Sequence, residues 1–223
     1  KKHIFLKIIK APIVKSEFRL GYTLTFFIAS QFFNLAMRMD LFLLSYFLSR
    51  SPEIGYYGLS QKIILTVMAS IGSITQVLSP NFSNIRTREE IKHQFKIGFY
   101  YLLIPTGLFL LLFLTPNWIF YLFFTEKFAP TAAITKSLSL AFLIYPILNL
   151  PLLYLLYTVK KPIHILTSNL IVFLTVVIGC YFSIPKNGVF GPPYILALSF
   201  LLGGIVLIIV SILEYRKIPV TTF

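Results

Sequence analysis

Arg38 and Asp40 stand two residues apart in the stretch NLAMRMDLFLL, inside a run of apolar residues long enough to cross a lipid bilayer. An ionisable side chain at that depth is expensive, so it must face protein, water or a ligand. At about 100° per residue, Gln31, Asn34, Arg38 and Ser45 fall within roughly 60° of one helical arc and form a polar stripe. Asp40 lies about 200° around the same helix from Arg38, so the two cannot pair as i and i+4 neighbours do. Each needs its own partner, and Asp40 reads as a counter-ion or as part of ion coupling. On insertion scales two central charges cost about 5 to 7 kcal/mol, against roughly 4 to 8 returned by the Leu, Ile and Phe residues around them. This helix is near break-even alone.

The next apolar stretch repeats the pattern. Lys62, Thr66, Ser73 and Gln76 lie within about 80° of arc. A face of small and polar residues is either a packing seam or a cavity wall; Lys62 and Gln76 favour the cavity. Arg38, Lys62, Gln31, Asn34 and Gln76 are accordingly the candidate cavity residues. Two cations facing one space suit an anionic ligand, and the planar fork of Arg pairs well with phosphate.

Signals for covalent chemistry are weak. His3, His93 and His164 fall in connecting segments, and no HExxH, CxxC, GxSxG or phosphate-loop spacing occurs. The single cysteine, Cys180, forms no internal disulfide and belongs to no metal cluster. No enzyme, cofactor or metal is expected from these residues.

The elements that position the stripe follow from composition. Of 223 residues 57% are hydrophobic and 12% charged, with a mean hydropathy of +0.83, which indicates an all-α polytopic membrane protein rather than a soluble domain. Six apolar segments are long enough to span: 22–48, 57–84, 97–124, 131–158, 163–184 and 191–214. The breaks SRSPEIG, SNIRTREEIKHQ, TEKFAP, VKKP and IPKNGVFGPP carry turn chemistry and are short, so consecutive helices are expected as antiparallel neighbours. Pro80 is expected to end the second helix, Pro105 and Pro116 to break the third, and Pro146 with Pro151 to bend the fourth.

Lys and Arg total 20 against 7 Asp and Glu, a net charge of +13. Nucleic acid is not needed to explain it. Basic residues cluster before the first helix and in the second, fourth and final connections, roughly three to one over the opposite side, which places that face and both termini in the cytoplasm. Residues 1–19 read as a basic linker able to lie on anionic lipid, 20–216 as the bundle and 217–223 as a tail. The chain opens KKHIFLKIIK without a Met, and a fragment of a longer protein is expected.

Three stretches carry a resemblance. RMDLFLLSYFLSRSPEIGYYGLSQKI resembles the seventh-helix region of polysaccharide-unit flippases, LFFTEKFAPTAAI their connection between helices nine and ten, and IPKNGVFGPPYILA the turn before their last helices. Thr125, where the family often has Gly, and Pro192 and Pro193, where it has small residues, depart from the pattern. The resemblance implies the second six-helix half of a two-bundle transporter in the bacterial cytoplasmic membrane, partnered by an N-terminal six-helix half and by membrane lipids. It also implies the cargo, an oligosaccharide on undecaprenyl pyrophosphate, moved between leaflets without covalent chemistry. An exporter of drugs or another lipid is the alternative within the superfamily; a membrane glycosyl- or acyltransferase and a non-transporting scaffold stand outside it.

Overall fold

The computed structural model describes residues 20–49, 51–124 and 126–218. The basic segment 1–19, Arg50, Thr125 and residues 219–223 lie outside the described residues. Helix α1 runs Leu20–Phe47, α2 Pro52–Ser83, α3 Arg88–Leu114, α4 Asn117–Phe123, α5 Pro130–Phe142, α6 Tyr145–Leu153, α7 Ile163–Asn187 and α8 Gly191–Arg216. A π turn, Tyr154–Thr158, continues α6, and there is no strand among the described residues.

Helix starts follow local chemistry. Ser51 caps α2 by accepting the Glu53 N–H, with Pro52 in the first turn. Thr87 and Glu90 make a reciprocal capping box at the start of α3, which gives Glu90 a structural role. Pro192 and Pro193 sit in the first turn of α8, where a missing N–H removes nothing from the helix ladder. The two prolines therefore leave the helix start at Gly191.

Pro80 does not end its helix. It lies inside α2, which continues to Ser83. A proline frees the carbonyl four residues earlier, here that of Gln76, and the Ser79 hydroxyl donates to it at 3.1 Å. Pro105 is likewise internal to α3. The third segment breaks at Thr115 and Pro116 instead, with Thr115 extended as the residue before a proline prefers. The expected 97–124 helix is thus two pieces, α3 and α4. The fourth segment is bent, by the junction between α5 and α6 and by the π turn.

Contacts fix the directions. Gly203 lies against Ser168 and Val172, and Gly179 against Ile195, so α7 and α8 form an antiparallel hairpin turned at Gly188, whose φ of 54° suits glycine. Phe109 meets Phe142 and Phe95 meets Tyr154, setting α3 antiparallel to α5 and α6. Ser60 bonds to Thr131 and Thr158 to Phe82, so α2 runs parallel to the α5–α6 leg. The neighbour of α1 is α7 more than α2. Asn169 donates to the Ala29 carbonyl at 2.9 Å, and ring pairs Phe32–Phe173 and Phe47–Tyr181 continue the contact in parallel.

Among the described residues five apolar stretches are long enough to cross a membrane, and the last, Ile163–Lys217, is the hairpin, so five or six helices qualify. Phe33, Tyr145, Phe200, Phe142 and Phe109 form a connected aromatic core through α1, α6, α8, α5 and α3.

Close backbone approach in the α7–α8 hairpin gives a test. A methyl at Gly203 would lie 2.6 Å from the stiff Val172 side chain and 3.1 Å from Ser168 Oγ. Gly203→Ala should lower stability by about 1–3 kcal/mol, the usual cost of overpacking. Gly72→Ala, where nothing lies within 4 Å, should not. Thermal unfolding of the detergent-solubilised protein compares the two, and equal midpoints would remove the close packing.

Candidate functional site

Asp40 is 1% exposed, although its helix neighbours Arg38 and Phe42 are exposed. Its partners come from α2. Tyr57 donates its hydroxyl to Oδ2 at 2.6 Å, and Gln61 Nε2 reaches Oδ1 at 3.0 Å and Oδ2 at 3.1 Å. The Leu41 N–H donates to Oδ1 at 2.7 Å. Gln61 also donates to the Met37 carbonyl at 2.9 Å, which ties its amide to the α1 backbone. Asp40 makes no ion pair among the described residues. Neutral donors, placed four residues apart on one face of α2, satisfy the carboxylate.

Beside this cluster the two helices take their main packing from different neighbours, α1 from α7 and α2 from α5. The space between them is a groove of ≈ 690 Å³. Arg38, Leu41, Phe42 and Ser45 line it from α1; Gly55, Gly58, Leu59, Lys62 and Leu65 line it from α2. Both sets recur at the three- and four-residue spacing of a helix face. Gly55 and Gly58 keep the α2 wall low, since a methyl at Gly55 would have nothing within 4 Å.

Arg38 and Lys62 thus share one groove, as the two stripes suggest. Neither has a carboxylate within ion-pair distance among the described residues. Gln61 lies at the junction, lining the groove and holding Asp40 at once. The arrangement offers two unpaired cations over apolar walls, with the negative charge of Asp40 engaged behind them. Such a site can bind an anion; it contains no nucleophile with an adjacent base.

The other candidates separate. Gln31, Asn34, Arg38 and Ser45 are all exposed on α1, but Asn34 lines a different cavity of ≈ 260 Å³ among α1, α6, α7 and α8. There it is joined by Ser30, Asn149, Ser168 and Asn169. The amides of Asn149 and Asn169 donate to the Tyr145 and Ala29 carbonyls, at 3.0 and 2.9 Å. Gln31 and Gln76 are exposed and line neither space. Sequence reading missed Tyr57 and Gln61; their i, i+4 spacing was the available signal. It missed Asn149, which sits alone in an apolar run, and Asn169, which follows Thr167 and Ser168 near the start of α7.

Among the described residues no group of three or more His, Cys, Asp or Glu is placed to hold a metal ion. The chain matches no family model, no curated protein and no solved structure.

A double-mutant cycle tests the Asp40 cluster. Asp40→Ala leaves the Tyr57 hydroxyl buried without its acceptor, at about 1–3 kcal/mol, while Gln61 keeps the Met37 carbonyl. Tyr57→Phe removes one donor. The two losses should fall short of additive by about 0.5–3 kcal/mol in unfolding experiments; strict additivity would mean that the pair does not interact.

Proposed function

We propose that this chain is one half of a membrane flippase that carries a lipid-linked oligosaccharide from the cytoplasmic to the outer leaflet of the bacterial inner membrane, in polysaccharide biosynthesis. The observation that carries the reading is the shared groove of Arg38 and Lys62, two cations without carboxylate partners, on helices long and apolar enough for the bilayer. A phosphate diester or pyrophosphate is the anion that a lipid-linked sugar brings. Guanidinium and ammonium donors engage it through charge-assisted hydrogen bonds.

The cargo's chemistry fits the remaining features. Ser45 and Gln61 offer neutral hydrogen bonds beside the cations, and Leu41, Leu59, Leu65 and Phe42 give apolar contact. The protein makes and breaks no covalent bond; its work is to bind the head group in one leaflet and release it in the other by alternating access. A second six-helix bundle would complete the cavity, as the exposed polar stripe of α1 suggests. The undecaprenyl carrier and pyrophosphate come from the resemblance in the three sequence stretches. Six membrane crossings with the basic end cytoplasmic agree with the alternating helix directions and with the charge distribution.

In cells lacking the intact protein, full-length Arg38→Ala should cut export of lipid-linked units about 10-fold or more, the weight of a lost charge-assisted bond of about 1.5–3 kcal/mol. Units should accumulate on the cytoplasmic leaflet. Arg38→Lys should retain part of the activity, having the charge without the fork. Normal surface polysaccharide from Arg38→Ala at equal expression would remove Arg38 from the mechanism.

A further inference from the structure

At the end of the bundle away from the Arg38 groove, the start of α3, the π turn and the end of α8 converge. Arg88 donates to the Arg216 carbonyl at 2.8 Å, with its guanidinium 5.3 Å from the Tyr215 ring centre. Glu214 is held by Lys217 at 2.7 Å and Lys161 at 3.1 Å, with His164 at 3.9 Å. Its charge is therefore spent locally. Arg86, Lys92, Lys96 and Lys160 remain exposed on the same end, with Glu89 exposed and Glu90 committed to the cap of α3.

Between α3 and α8 this end carries an apolar crevice of ≈ 390 Å³. Ile91, Phe95, Ile212 and Tyr215 form its walls, and Lys92 is its cation. Tyr154 and Ser211 also line it; they are 1% and 8% exposed, yet neither hydroxyl has a hydrogen-bond partner. Buried hydroxyls without partners are uncommon enough to require an explanation.

We propose that this crevice is a binding seat for an anionic glycerophospholipid. The crevice walls are apolar and exposed Lys92 stands beside them, which suits an acyl chain below an anionic head group. Lys92, one turn nearer the helix start than Phe95, meets the phosphate, and Arg88 beside Tyr215 adds positive potential at the mouth. The Ser211 and Tyr154 hydroxyls are donors for the ester carbonyls, which only accept. Ile91, Phe95 and Ile212 take an acyl chain. Basic pockets between membrane helices select anionic over zwitterionic head groups in this way, because the ammonium of a zwitterion is repelled where the phosphate is attracted. The seat stands independently of the cargo reading. It needs only that the helices lie in a bilayer.

The test is native mass spectrometry of the full chain released from nanodiscs of equal phosphatidylglycerol and phosphatidylcholine with matched acyl chains. The wild type should retain a phosphatidylglycerol adduct in preference to phosphatidylcholine, and Lys92→Gln should retain it at least threefold less. Lys186→Gln, at the opposite end of α7, should retain it as the wild type does. Ile212→Trp, which fills the crevice, should lose it; Lys92 is exposed, so its variant carries the test even where Ile212→Trp fails to fold. Equal retention by wild type and Lys92→Gln, equal retention of the two lipids by the wild type, or displacement of the adduct by an equimolar polyprenyl phosphate would each overturn the seat.

Discussion

The hydrogen bonds from Tyr57 and Gln61 to Asp40 decide where the functional face of this protein points. A carboxylate inside an apolar bundle is tolerable only with its oxygens satisfied, and here three donors, two from α2 and one from the α1 backbone, meet them. With Asp40 turned inward, helical geometry turns Arg38 outward, about 200° around α1. The same bonds tie α1 to α2, which otherwise pack mainly on α7 and α5. The groove lies between the two helices beside these bonds, lined by Arg38 on one and Lys62 on the other.

Its electrostatics follow from the same constraint. Because Asp40 is committed behind the groove, it does not pair with Arg38 or Lys62, and the two cations keep their capacity for an external anion. The opposite end solves its charge differently. Glu214 is surrounded by Lys161, Lys217 and His164, leaving Lys92 and its exposed basic neighbours to act on what lies beside the bundle. One molecule thus presents two cationic regions, one recessed between helices and one at the basic end.

Much of this was legible in the sequence, and what was not has physical reasons. The helical segments and the two polar stripes follow from apolar length and the 3.6-residue period, and Arg38 and Lys62 share a groove because both periodicities hold locally. Asn34 escapes to a second cavity because a helix wheel gives direction without naming the neighbour; α1 packs on α7, so the same stripe faces different helices along its length. Pro80 failed as a helix end because Ser79 occupies the carbonyl it frees, a local repair that propensity does not include. The partners of Asp40 were hidden because Tyr57 reads as an ordinary apolar residue, and only the register between α1 and α2 brings its hydroxyl to the carboxylate.

The central claim is that Arg38 and Lys62 act together on a phosphorylated lipid. It is tested most directly by measuring the affinity of the full-length protein in nanodiscs for a polyprenyl pyrophosphate, wild type against Arg38→Ala, Lys62→Ala and the double variant. The predicted result is about 10-fold weaker binding for each single change and about 100-fold for the pair, each charge-assisted contact contributing on the order of 1.5 kcal/mol. Wild-type affinity in the double variant, with the fold intact, would contradict it.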